Sequence, residues 1–123
     1  MKNVTYDGKT FRSTSNTDNG EVSSATTFHY REVDSVVWAT YGGGDIKFGT
    51  LTGIKHADGT LDFAYQHVNV NDEIKTGRCH STPTILPDGR LRMHESWQWT
   101  SGVRDQQVSG ESIIEEVSVN AEN

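Results

Sequence analysis

The sequence predicts an all-β fold, an eight-stranded antiparallel up-and-down barrel that takes up residues 1–123 as one domain. Three observations lead to this prediction. Short segments of alternating polar and apolar residues are separated by recurring turn signals. Only 33% of the residues are hydrophobic, and these favour β-branched and aromatic types. No segment of useful length has the helical period. An eight-stranded meander loses its exposed edges by closing into a barrel.

Turn signals divide the chain, and they are Asp34-Ser35, Gly42-Gly43-Gly44, Asp58-Gly59, Asn71-Asp72 and Asp88-Gly89. Asp-Gly between alternating segments is a strong hairpin signal. The strands are therefore predicted near residues 9–16, 25–33, 36–41, 46–56, 61–70, 73–86, 90–101 and 110–118. Across Asp34-Ser35 the alternation indicates one shared face, formed by Phe28, Tyr30, Ala39 and Tyr41.

The last three of these connections are interpreted as two-residue hairpin loops, because such a loop fixes which residues face each other. The predicted pairs are Thr52 with Tyr65 and Thr50 with His67 across Asp58-Gly59; Tyr65 with Arg78 and Phe63 with His80 across Asn71-Asp72; and Arg78 with Trp99, His80 with Trp97 and Thr82 with Glu95 across Asp88-Gly89. All three hairpins agree on one face. We predict that this face is the interior, because the opposite face is rich in Lys, Asp, Gln and Ser.

The predicted inward face divides into an aliphatic end and a polar, aromatic remainder. The remainder consists of Tyr65, His67, Arg78, His80, Glu95, Trp97 and Trp99. An unpaired ion in an apolar interior costs about several kcal/mol, so these groups are expected to line a wet cavity. Eight strands enclose room for one small ligand. The sequence therefore predicts a ligand-binding lumen lined by these seven residues.

The chemistry of these residues leads to one main hypothesis and two alternatives. Arg78 offers a planar fork for an anion, and the two tryptophans offer stacking surfaces, so the leading hypothesis is a non-enzymatic barrel that binds an anionic or aromatic small molecule. The first alternative is an enzyme in the same lumen, an isomerase, lyase or acyl transferase, with Glu95 or a histidine as general base. The second is a structural or partner-binding barrel with a filled core, in which Arg78 pairs with Glu95.

Composition argues against several other classes. The formal net charge is -6 with no basic stripe, so nucleic acid is not expected as a partner. No apolar run approaches the roughly 20 residues of a membrane span, and we expect a cytoplasmic protein. The single cysteine, Cys79, fits a reducing compartment. The histidines lack metal-ligand spacing and Gly42-Gly43-Gly44 lacks a nucleotide-binding context, so we expect no metal and no cofactor. A homo-oligomer is possible.

Several sequence segments resemble a family of short bacterial β-barrel proteins over nearly the whole chain. The segments are Phe11-Arg12-Ser13, Phe28-His29-Tyr30-Arg31, Tyr65-Gln66-His67, Thr76-Gly77-Arg78-Cys79, Leu86-Pro87-Asp88-Gly89-Arg90, the run from His94 to Gly102, and the run from Gly110 to Glu116. Members of this family look like calycin, lipocalin-like or avidin-like barrels, so the resemblance implies that fold. They are often labelled N-acetylglutamate synthase, which implies acyl transfer. The resemblance supplies no catalytic residues.

Overall fold

Eight antiparallel strands form a closed barrel in a computed structural model, which describes residues 4–101 and 109–117. The strands are β1 (Thr10–Asn16), β2 (Thr27–Val33), β3 (Val36–Gly43), β4 (Ile46–Lys55), β5 (Leu61–Asn69), β6 (Ile74–Ile85), β7 (Leu91–Trp99) and β8 (Ser109–Glu116). Each strand pairs with the next in the chain, and β8 closes the barrel against β1. The predicted eight-stranded antiparallel barrel is confirmed.

The β2–β3 hairpin has the register that the sequence predicted. Phe28 pairs with Tyr41 and Tyr30 pairs with Ala39, and all four side chains are buried. The two-residue loop requires a positive φ at Asp34, which is 56°. The predicted end of the last strand, residue 118, lies outside the described residues.

The predicted register is wrong by one residue in the three later hairpins, because each loop has three residues instead of two. In the β4–β5 loop the amide of His56 donates to the carbonyl of Thr60 at 2.9 Å, and Lys55 pairs with Leu61. The last loop residue in each hairpin has a positive φ: 92° at Gly59, 62° at Asp72 and 93° at Gly89. A three-residue loop of this kind places its last residue in the left-handed region, which Gly and Asp tolerate.

This change of register reverses the facing of β4 and β6 relative to β5, and leaves β7 with the predicted facing. Arg78 and His80 therefore point outward and are exposed, which corrects the prediction that they line the lumen. Gly77, Cys79 and Ser81 of β6 are buried in their place. Three apolar residues that were predicted inside are exposed on the outer surface, namely Phe48, Ile54 and Ile74.

One end of the barrel is closed by the segment that precedes β1. The side chain of Tyr6 is fully buried there, and its hydroxyl donates to the carbonyl of Gly59 at 2.7 Å. The Nζ of Lys55 donates to the carbonyl of Val4 at 2.7 Å and holds the segment in place. Below Tyr6 the core is aromatic, with Phe11 against Tyr30 at a centroid distance of 5.0 Å. No helix long and apolar enough to cross a membrane occurs in the described ranges.

Candidate functional site

Four rings form a box inside the other end of the barrel, and we call Tyr65, His67, Trp97 and Trp99 the aromatic box. The rings of Trp97 and Trp99 lie 5.5 Å apart, and Trp99 lies 5.9 Å from Tyr65 and 5.8 Å from His67. Tyr65 and His67 are nearly parallel. All four belong to β5 and β7, whose alternating residues point inward. Trp99 meets the other three rings edge to face, so the four rings pack directly against one another.

Glycines on neighbouring strands make room for these rings. A Cβ at Gly77 would lie 2.2 Å from Cζ of Tyr65, and a Cβ at Gly49 would lie 2.7 Å from Cβ of His67. Any larger residue at either position would push a ring out of place. The glycines are therefore part of the site, although they bear no functional group.

The floor of the lumen carries a carboxyl group. Glu95 is buried, and its oxygens accept hydrogen bonds from Oγ of Ser112 at 3.0 Å and from Oγ of Ser81 at 3.4 Å. Burial raises the pKa of Glu95 to about 7, and the two serine hydroxyls oppose this rise. Near neutral pH the group can therefore either accept or donate a proton.

The last residue of β1 and the loop that follows it lie over the mouth of the lumen, and we call residues 16–22 the cap. Four donors of the barrel mouth bind to it. Nε1 of Trp97 donates to Oδ1 of Asn16 at 3.0 Å, and Nε1 of Trp99 donates to the carbonyl of Asn19 at 3.2 Å. The other two donors, His67 and Asn69, bind the two carboxylate oxygens of Glu21 at 2.8 Å and 3.0 Å. Val22 of the cap packs against the core.

A hydrogen-bonded chain runs from the cap into the barrel wall through His67. Its Nε2 contacts Oε1 of Glu21 at 2.8 Å, and its Nδ1 contacts the hydroxyl of Tyr41 at 2.9 Å. An ionised carboxylate can only accept, so Nε2 carries the proton in this contact. Burial raises the pKa of Tyr41, which therefore stays a phenol. The chain holds the His67 ring in one orientation.

Beneath the cap the lumen is small. Its cavity measures about 40 Å³, which exceeds the roughly 10–15 Å³ that one water needs but lies well below the roughly 300–1,000 Å³ of typical ligand pockets. Much of the space at the mouth is filled by the cap, which contributes Asn16, Gly20, Glu21 and Val22 to the lining. A ring-sized ligand fits only if the cap moves outward.

Five of the seven predicted site residues line this cavity: Tyr65, His67, Glu95, Trp97 and Trp99. The other two are on the outer surface. Nδ1 of His80 donates to Oδ1 of Asp62 at 2.8 Å, and Nε2 of His56 contacts Oδ2 of the same carboxylate at 2.6 Å. Arg78 lies beside an outer groove, so the predicted Arg78–Glu95 ion pair is wrong as well.

Several residues that line the cavity were not predicted from the sequence. Phe28 and Tyr41 belong to the face predicted across Asp34-Ser35 but were not assigned to the site. Cys79 is buried in the lumen wall, where burial raises the pKa of its thiol. Glu21 lies in a polar loop, and no pattern in the sequence connects it with His67, 46 residues away.

The closed barrel, plugged at one end and lined with aromatic rings at the other, defines the class as a small antiparallel barrel with a lumen. The avidin-like protein family matches residues 4–117. The chain belongs to the avidin-like family. A solved structure, the crystal structure of apo shwanavidin (P1 form), is similar over 95% of this chain and 100% of that chain, with a TM-score of 0.62 and 9% identity. No curated protein matches.

Proposed function

We propose that the protein binds a small molecule in its lumen, with the aromatic box as the main contact surface. The main support for the proposal is the kind of residue that fills the mouth of the lumen. The box is covered by a polar loop, whereas a purely structural core is filled by apolar side chains of the strands themselves. Membership of the avidin-like family supports the same proposal.

The lumen favours a planar ligand that carries a hydrogen-bond donor at its inner end. Rings 5.5–5.9 Å apart offer edges and faces to a flat group. At the floor, Glu95 accepts from two serine hydroxyls and has lone pairs left for a donor of the ligand. The aromatic part of the sequence hypothesis therefore stands as a proposal. The prediction of an anionic ligand rested on Arg78, which faces solvent. Binding an anion in the lumen therefore requires another cation or hydrogen-bond donor.

An enzyme in the same lumen is the second candidate. It is favoured by Glu95, whose pKa of about 7 suits a general acid or base near neutral pH. The enzyme classes that use such a proton transfer are isomerases, lyases and acyl transferases. An N-acetylglutamate synthase would belong to the last of these. Turnover that is lost in Glu95→Gln while binding is retained would support this candidate.

The test of binding uses the tryptophans as probes. A thermal-shift screen covers biotin, aromatic acids and amides, fatty acids, glutamate and acetyl-CoA, because a ligand at a hundredfold excess over its Kd stabilises the native state by about 2.7 kcal/mol. Hits are titrated by tryptophan fluorescence in Trp97→Phe and in the matched control Trp38→Phe, whose indole is on the outer surface. Lumen binding predicts a weaker signal and affinity in Trp97→Phe alone. Absence of any hit, or equal effects in both variants, would favour the filled structural barrel.

A homo-oligomer is proposed from the outer surface. Phe48 pairs with Val68 across β4 and β5, and Val68 pairs with Ile74 across β5 and β6, so these residues form a continuous apolar row. Phe48 and Ile74 are 57% and 70% exposed, and exposed apolar patches mark association sites. A cytoplasmic location also remains a proposal, supported by the free thiol of Cys79.

A further inference from the structure

We propose that the mouth of the lumen is a carboxylate-binding site, occupied in this structure by the protein's own Glu21. A ligand carboxylate would replace the Glu21 side chain and release the cap. This inference rests on the proposed binding function and adds the class of group that the ligand carries at its outer end. The ligand would again be an anion, as the sequence predicted, but groups other than Arg78 would bind it.

Three groups of the barrel wall surround the Glu21 carboxylate. Nε2 of His67 lies 2.8 Å from Oε1, and Nδ2 of Asn69 donates to Oε2 at 3.0 Å. Nζ of Lys75 lies 4.0 Å from Oε2 and adds positive charge. Each of the two oxygens therefore has its own donor, which is the arrangement that planar carboxylate recognition needs.

These groups belong to the rigid barrel, whereas the carboxylate belongs to a loop. His67 and Asn69 are buried in β5, and the orientation of His67 is fixed by Tyr41. Lys75 lies in β6 with its Nζ 5.7 Å from the ring centroid of Trp99. The donors would therefore keep their positions if the cap moved away. A free carboxylate on a flat molecule could take the place of Glu21, with its ring in the aromatic box.

A ligand carboxylate would replace the hydrogen bonds that are lost when Glu21 leaves the mouth. When the loop residues 17–22 of the cap leave, the Nε1–H of Trp99 and the donors on β5 lose the acceptors of Asn19 and Glu21, whereas Nε1 of Trp97 keeps Oδ1 of Asn16 at the end of β1. A buried donor without a partner is costly, so the open state is stabilised only by a ligand that supplies acceptors at the same places. Neutral apolar molecules would leave these donors unsatisfied. The cap therefore selects for ligands with a carboxylate at the mouth.

The experiment removes the internal carboxylate and supplies an external one. Glu21→Ala should be less stable than the wild type, and acetate or formate should raise its melting temperature by several degrees in a saturable manner, whereas chloride at equal ionic strength should not. The matched control is Glu73→Ala. Glu73 also accepts from Nδ2 of Asn69, at 2.8 Å, but lies exposed at the β5–β6 turn, so acetate should not stabilise this variant.

Two further measurements complete the test. Adding His67→Phe to Glu21→Ala should abolish the stabilisation by acetate, because the Nε2–H donor of the site is removed while a flat ring is kept. Glu21→Gln, which keeps the size of the side chain, should bind benzoate about 10- to 100-fold more tightly than the wild type does, because a competing charge-assisted contact is lost. Benzamide should gain much less.

Equal responses to acetate in wild type, Glu21→Ala and Glu73→Ala would overturn the proposal, and so would unchanged benzoate affinity in Glu21→Gln. Failure of this proposal differs from failure of the binding function. If a screened carboxylic acid quenches Trp97 with the same affinity in the wild type and Glu21→Gln, the lumen binds ligands but the mouth is not a carboxylate site. If acetate stabilises Glu21→Ala and no screened ligand reaches the lumen, the carboxylate site stands without the binding function.

Discussion

The ring of Tyr65 on β5 lies directly over Gly77 of β6, where a Cβ would approach Cζ and the hydroxyl oxygen of the tyrosine to 2.2 Å. The two residues are paired across the strands, and the glycine gives the ring its place in the lumen. The aromatic box therefore depends on a residue that contributes no side chain to it.

Gly77→Ala should destabilise the protein by about 1–3 kcal/mol, the usual cost of forcing extra atoms into a packed interior. The ring of Tyr65 would have to turn into the space between Trp99 and His67. Urea unfolding and near-ultraviolet circular dichroism would measure the loss of stability and the altered aromatic environment. Thr82→Ala, an exposed position on the same strand, is the control and should change neither. An unperturbed spectrum in Gly77→Ala would contradict the packing of Tyr65 against Gly77.

Stability should depend on pH through Glu95. Its pKa is raised from 4.5 to about 7 in the folded protein, so between these values the folded state binds more protons than the unfolded state. Stability from this group is therefore fully present below about pH 4.5 and is lost as the pH rises through about 7. Between pH 5 and pH 8 the wild type should lose up to about 3 kcal/mol relative to Glu95→Gln, at 1.36 kcal/mol per unit. Parallel pH profiles of wild type and variant would refute this.

Two buried tyrosines at the closed end should respond differently to loss of their hydroxyls. Tyr6 donates to the carbonyl of Gly59 at 2.7 Å, so Tyr6→Phe leaves a carbonyl without its partner and should cost about 1–2 kcal/mol. The buried hydroxyl of Tyr30 has no hydrogen-bond partner among the residues that the structure describes. Tyr30→Phe should therefore be neutral or stabilising. Thermal unfolding of the pair measures this difference, and a reversed order would be inconsistent with the hydrogen bond of Tyr6.

Arg78 and Trp97 should differ strongly in their contribution to stability. Arg78 is exposed on the outer surface, and Arg78→Ala should change the free energy of unfolding by no more than about 0.5 kcal/mol. Trp97 is buried and bound to Asn16, and Trp97→Ala should cost about 3–5 kcal/mol. Arg78→Ala should also leave lumen binding unchanged in the fluorescence titration. A loss of ligand affinity in Arg78→Ala would require the arginine to act on the lumen after all.

The proposed oligomer should depend on the apolar row of β4, β5 and β6. We expect sedimentation velocity to show self-association of the wild type and a shift toward monomer in Phe48→Ser and Ile74→Ser, because these changes remove apolar surface from the contact. Ile85→Ser is the control, since Ile85 is 58% exposed at the other end of β6. A monomeric wild type, or equal effects of all three substitutions, would remove the support for this interface.

The sequence by itself determined the strands and their order. Alternation and turn residues fixed eight strands to within about two residues, because side-chain period and turn chemistry are local properties. The facing of β5 and β7, and with it the inward position of Tyr65, Glu95 and Trp97, also followed from the alternation. The two-residue β2–β3 loop was predicted correctly for the same reason.

Only the tertiary structure decided the facing of β4 and β6. Asp-Gly fits both a two-residue turn and the last two positions of a three-residue loop, and the choice between them reverses every side chain of a strand. Local sequence could not make that choice, because Phe48 and Ile74 look like core residues while Gly49 and Gly77 gain their meaning only from the rings of other strands. The contact of Glu21 with His67 was equally hidden, since a hydrogen bond between a loop and a distant strand leaves no periodic pattern in the chain.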